Sequence, residues 1–72
     1  MIEIEISKEP IELYKVLKLE NLVASGGEAK FVIAEGLVSV NGEIETRKRK
    51  KIVSGDIIVF GNQTIHIQLK PN

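Results

Sequence analysis

The stretch SGGEAKFVIAEGLVSVNGEIETRKRKK, Ser25 to Lys51, contains a helix with both ends marked, a hairpin and a block of charge. Ser25 and Glu28 form a capping box: the Ser25 hydroxyl can accept from the third helical N–H while the Glu28 carboxylate reaches back to the cap. The helix predicted from Ser25 to Glu35 buries Ala29, Val32 and Ile33, and leaves Gly27, Lys30 and Ala34 on a different face. Gly36 suits the left-handed position just past a helix end. Val38 and Val40 alternate with Ser39, and Asn41-Gly42 is a strong hairpin signal, because a type I′ turn needs positive φ at both central residues. Glu43 to Thr46 is therefore expected to run back beside Leu37 to Val40, with Ile44 inward and Glu43 and Glu45 outward. Arg47, Lys48, Arg49, Lys50 and Lys51 follow with no acidic residue among them. No face of such a run can be buried, which predicts an exposed, flexible loop or edge extension.

Upstream of this stretch, Ile2, Ile4 and Ile6 alternate with Glu3 and Glu5, the pattern of a half-buried strand whose outer face is acidic. Pro10 suits the first turn of a helix, where a missing N–H costs nothing. From Ile11 to Leu19, Leu13, Val16 and Leu17 follow helical spacing, with Lys15 and Lys18 on a more polar side. A solvated helix face is the plainer reading of that lysine pair. Glu20-Asn21 ends this helix and Leu22-Val23 continues the core. Tyr14 could stack on a base, although core or rim use fits a short helix better.

Downstream, Ser54-Gly55-Asp56 and Gly61-Asn62 are turn signals. Ile57 to Phe60, apolar on both faces, reads as a central strand. Thr64 to Leu69 alternates Ile65, Ile67 and Leu69 inward with His66 and Gln68 outward, and Lys70-Pro71-Asn72 is a tail. The predicted order is one strand, two helices and about four short strands, an α+β domain spanning residues 1–72.

At 72 residues the chain is near the small end of what folds without staples, and it has no cysteine and no His/Asp/Glu cluster with metal-ligand spacing. No metal and no cofactor are expected. Nothing near Met1 resembles a signal peptide, and no apolar run approaches the roughly 18 to 20 residues of a membrane helix. A soluble, cytoplasmic monomer without membrane contact is the expectation.

Ten Lys/Arg balance ten Asp/Glu, but residues 47–51 carry +5, leaving the rest of the chain at −5. A polyanion meets that local field rather than the sum. Neutralising about five phosphates would give a salt slope of log K near −3.5 for single strands and −4.5 for duplexes. Gly26 and Gly27, poor helix formers in a first turn, would let a phosphate approach bare backbone N–H groups; close packing by the first helix would also explain them. Catalysis is not expected. His66 stands alone on an outward strand position, Ser25 reads as a cap, and no glycine pattern matches a nucleotide loop.

Leu13, Lys15, Leu17, Lys18, Leu22, Ser25, Glu28, Ala29, Lys30, Ile33, Gly36, Val38, Val40, Asn41, Gly42, Val53, Gly55 and Asp56 stand where the S4-type RNA-binding domain has its anchors. The chain thus resembles that family over roughly Glu12 to Phe60. The strings ELYKVLKLENL, SGGEAKFVIAEG and VNGEIETRKRKKIVSGD look most like its small stand-alone YbcJ-like members. The resemblance implies two antiparallel helices on a small, mostly antiparallel sheet, with RNA bound along the second helix and the nearby basic loop. Where the family commonly has basic or polar residues, this chain has Glu12, Gly26, Gly27 and Phe31. Of the helical positive set only Lys30 and Lys18 remain, the rest of the charge standing at 47–51. Phe31 is expected in the core or in helix packing. The implied site is Lys18, Gly26, Gly27, Lys30, Arg47, Lys48, Arg49, Lys50 and Lys51, and the implied ligand a structured RNA, ribosomal or transfer, recognised by shape, with the ribosome a further partner. The competing reading is a ribosome- or assembly-associated adaptor whose basic loop meets an acidic protein.

Overall fold

The structure is a computed structural model that describes residues 1–71; the last residue of the expected tail, Asn72, lies outside the described residues. In chain order the elements are β1 (Ile2–Ile6), β2 (Ile11–Glu12), α1 (Leu13–Leu19), α2 (Gly26–Ala34), β3 (Val38–Val40), β4 (Glu43–Ile44), β5 (Lys51–Ile52), β6 (Ile57–Phe60) and β7 (Gln63–Leu69). Five strands form one sheet in the order β1-β7-β6-β3-β4, and β2 and β5 form a separate two-stranded ribbon. Every pairing is antiparallel except β1 with β7. As its all-apolar sequence predicts, β6 is central.

Alternation accounts for the inner face of the sheet. Ile4 and Ile6 of β1, Val38 and Val40 of β3, Ile58 of β6 and Ile65 and Ile67 of β7 are buried, and they meet Leu13, Val16 and Leu17 of α1 and Ala29, Val32 and Ile33 of α2. These are the helical stripes that the spacing predicts. The α2 N-terminus is capped by Ser25, whose Oγ accepts from the Glu28 N–H at 3.1 Å. The Glu28 carboxylate reaches one residue beyond the expected partner and accepts from the Ala24 N–H at 2.6 Å. Gly36, at φ 76, turns the chain out of α2, and Asn41 and Gly42, at φ 53 and 87, make the β3–β4 turn. Asn41 also ties this hairpin to β6: its Nδ2 donates to Asp56 at 3.0 Å and its Oδ1 accepts from the Ile57 N–H at 2.9 Å.

Four expectations are corrected, the first being that Leu69, expected inward, is 40% exposed at the last position of β7. Helix α1 starts at Leu13, not near Pro10, because Ile11 and Glu12 first pair with Ile52 and Lys51, and Ile52 is fully buried. Five strands rather than about four follow the helices, since Lys51 and Ile52 form β5. Ile44 is 72% exposed, because β4 is a two-residue edge strand whose register pairs Ile44 with the outward Ser39.

Candidate nucleic-acid interface

The basic run is exposed but not free. Helix α1 lacks a side-chain cap, Glu12 standing at its N-cap position without such a bond. A helix start leaves N–H groups without intrahelical partners, and here the loop supplies them: Leu13 N–H donates to the Lys50 carbonyl at 2.9 Å and Tyr14 N–H to the Lys48 carbonyl at 3.1 Å. Lys50 N–H closes a turn on the Arg47 carbonyl at 3.1 Å, and Lys51 enters β5. The expectation of a flexible loop is therefore corrected: its backbone is the cap of α1, and its side chains face solvent because its carbonyls face the helix.

Two carboxylates without a part in the sequence-based site hold two of the five charges. Arg47 donates from its backbone N–H and Nε to Glu45 Oε2 at 3.0 and 2.9 Å, and from Nη2 to Oε1 at 3.0 Å. These side-chain bonds first, and the backbone bond next, lower the Glu45 carboxyl from 4.5 to about 2, and the same pairing raises the Arg47 guanidinium above its ordinary value. Arg49 Nη1 lies 3.2 Å from Glu12 Oε2, and Lys15 Nζ 3.4 Å from Glu12 Oε1. Both arginines remain well exposed, so these ion pairs orient the guanidinium groups without removing them from solvent.

Across from the loop stands the α2 face on which the sequence places Gly27, Lys30 and Ala34. Lys30 and Ala34 line one groove with Thr46, Arg47, Lys48 and Arg49. Tyr14 meets one of these residues: half-buried against the core, it carries the Lys30 ammonium 4.9 Å and the Lys15 ammonium 5.9 Å from its ring centroid. Lys18 does not line this groove and is exposed on α1, in another groove with Tyr14 and Lys15. Lys50 lies toward the hairpin, in a hollow with Glu45, Asn41 and Asp56, and Lys51 lines a second hollow with Arg47, Arg49 and Lys50. The five basic residues are thus spread over two sides of a folded loop.

Gly26 and Gly27 do not line the groove, but Gly27 continues its Lys30 stripe one turn toward the α2 N-terminus. A Cβ on Gly26 would meet nothing within 4 Å, and one on Gly27 would meet only Ser25 Oγ at 3.8 Å. Packing by α1 does not explain these glycines. Phe31, expected in the core, is 62% exposed, because Ala29, Val32 and Ile33 already fill the face that α2 turns inward. Tyr14 is the residue most undervalued by sequence reasoning; its i,i+4 relation to Lys18 is the available signal, whereas its contact with Lys30 is tertiary.

Among the described residues no group of three or more His, Cys, Asp and Glu side chains could hold a metal ion, and no helix is long and apolar enough to cross a membrane.

Comparison with known proteins bears on this arrangement. The family model described as the S4 domain matches residues 4–68. The chain is 44% identical over 68 residues to YbcJ of Escherichia coli (strain K12), a match covering 93% of this chain and 97% of that one. It is 40% identical over 55 residues to RlbA of Bacillus subtilis (strain 168), named a probable ribosome maturation protein, with 76% and 78% of the two chains covered. The solution structure of E. coli YbcJ, described as revealing an αL motif involved in RNA binding, superposes with a TM-score of 0.73 at 43% identity, covering 94% of this chain and 87% of that one. A family match over nearly the whole length, a close relative of equal size and a shared arrangement of two helices on a mostly antiparallel sheet place the chain in the S4 domain family, among its YbcJ-like members.

Proposed function

We propose that this protein is an RNA-binding module that grips structured RNA, ribosomal or transfer, through its phosphates. The observation that carries the reading is the groove in which Lys30 of α2 faces Arg47, Lys48 and Arg49 across a backbone fixed by its bonds to α1. Helices α1 and α2 and the loop together hold eight of the ten Lys/Arg residues of the chain, although they contribute few of its carboxylates. Such a surface presents a polyanion with a strong local field. In this reading Arg47 to Lys51 contact phosphates, Lys30 and Lys18 extend the track along the helices, and Gly26 and Gly27 let the backbone approach closely. A preordered loop matters because phosphate contacts also set register: each ammonium or guanidinium offered at a fixed point adds position as well as affinity.

RNA binding by YbcJ-type relatives and the ribosome-maturation name of RlbA support an RNA ligand connected with the ribosome. The latter name also supports a second reading, an assembly adaptor whose basic surface meets an acidic protein. The variant Arg47→Gln/Arg49→Gln/Lys51→Gln separates the two readings when titrated with transfer RNA and with equal-length duplex DNA. We expect the wild type to prefer RNA, and the variant to lose affinity while its thermal unfolding stays nearly unchanged. Absence of RNA binding at low salt would leave the adaptor, and a large fall in stability would make the run structural.

A further inference from the structure

Helix α1 carries apolar residues on two faces. Leu13, Val16 and Leu17 are buried in the core. Tyr14, Lys15, Lys18 and Leu19, at the spacing of one helical stripe, line with Ile11 of β2 a shallow groove open to solvent. Leu19 is 57% exposed and Ile11 and Tyr14 are half-buried, so this second stripe is not core. Its floor is apolar and includes an aromatic ring, and its rim carries two ammonium groups. That combination suits a flat ligand with an apolar face and a flanking negative charge, which is the chemistry of a nucleotide. The groove also adjoins the phosphate track: Tyr14, which lines it, donates its backbone N–H to the Lys48 carbonyl and lies beneath the Lys30 ammonium, and both of those lysines line the track.

We infer that the α1 groove receives one unpaired nucleobase of the bound RNA, stacked against Tyr14 over Ile11 and Leu19, with its neighbouring phosphates at Lys15 and Lys18. The inference rests on the RNA-binding reading above and adds the feature that the RNA must offer, an unstacked nucleotide beside a helical segment. Charge complementarity selects this occupant over an uncharged apolar peptide, which would offer nothing to Lys18, Lys15 being already paired with Glu12.

Tyr14 is the only tyrosine and the chain has no tryptophan, so its emission reports on the groove directly. The test titrates the full chain with three RNAs: a blunt duplex, the same duplex with one bulged nucleotide, and the bulged duplex with the bulged base removed. The bulged RNA should quench Tyr14 emission and bind about five-fold to 150-fold more tightly than the other two, the range for one base–aromatic stack. Leu19→Gln, at an exposed position, should erase most of that preference and leave the blunt duplex unaffected. Equal, salt-dependent binding of all three RNAs with unchanged emission would overturn the inference while the RNA-binding reading stands. Failure of every RNA to bind would overturn both. Quenching by anionic phosphatidylglycerol vesicles and not by bulged RNA would assign the groove to a lipid surface and equally overturn it.

Discussion

Replacing Gly26 and Gly27 together by alanine should move stability and RNA affinity in opposite directions. Both residues are in the first turn of α2, neither has a positive φ, and an added Cβ meets at closest an ordinary contact with Ser25 Oγ at 3.8 Å. Alanine is favoured over glycine inside a helix by about 0.5 to 1 kcal/mol. First-turn positions deserve the lower end of that range, so the pair should add about 1 kcal/mol. For a domain of this size that raises Tm by about 4 to 8 °C. The methyl groups also stand over the N–H groups that a phosphate would approach, so affinity for transfer RNA should fall. Thermal denaturation followed by circular dichroism gives the first quantity, and fluorescence anisotropy with labelled RNA the second. A drop in Tm would show that something packs on this turn and that the reasoning from open space is wrong. A rise in Tm with unchanged affinity would remove Gly26 and Gly27 from the interface.

Other perturbations have equally definite signs. The Glu45 carboxyl should titrate near pH 2 rather than 4.5 in a carbon-detected NMR titration. Because its folded-state pKa is the lower one, the stability from its pairing with Arg47 is fully present above about pH 4.5 and disappears as pH falls toward 2. Glu45→Gln should tighten RNA binding roughly two-fold to five-fold, since Arg47 no longer has to leave a carboxylate; weaker binding would mean that the pair positions Arg47 for its phosphate. Deleting residues 48–50 withdraws both carbonyls from the α1 N-terminus and should cost about 1 to 3 kcal/mol in urea denaturation, a loss that the glutamine variants of the loop escape. Leu17→Ala, at a fully buried position, should cost about 2 to 5 kcal/mol, enough to leave so small a domain largely unfolded at 37 °C.

Features set by neighbours along the chain are legible in the amino-acid sequence alone. The Ser25–Glu28 cap, the Gly36 stop, the Asn41-Gly42 turn and the isoleucine alternation of β1 each depend on a few adjacent residues, and each is present. Where tertiary contact decides, the pattern fails. Ile44 alternates as an inward residue, yet nothing covers the end of a two-residue edge strand. Pro10 reads as a helix start, but the pairing of Ile11 with Ile52, 41 positions away, delays the helix to Leu13.

The candidate site divides in the same way. Its charge is visible as five consecutive letters, and the helical stripe that places Lys30 and Ala34 on one face follows from spacing alone. What turns the run into a surface is not encoded in those letters. Backbone carbonyls carry no side-chain signature, so the capping of α1 by Lys48 and Lys50 leaves no trace in the sequence. Glu12, one of the carboxylates that neutralise the run, is 37 positions from Arg49. Phe31 stands beside Lys30 in sequence and its apolar ring predicts burial, whereas Tyr14, from another helix, is the aromatic residue that Lys30 meets.

The central claim is that an ordered basic loop and α2 bind RNA phosphates, and the salt dependence of binding tests it most directly. The dissociation constant for a structured transfer RNA should be measured between about 50 and 200 mM salt for the wild type and for Arg47→Gln/Arg49→Gln/Lys51→Gln. The five loop contacts should contribute about −3.5 to −4.5 to the slope of log K against log salt, and the two that remain in the variant about −1.4 to −1.8, so the variant's slope should be shallower by about 2.1 to 2.7. Equal slopes for the two proteins, or equally tight binding to duplex DNA, would contradict the account.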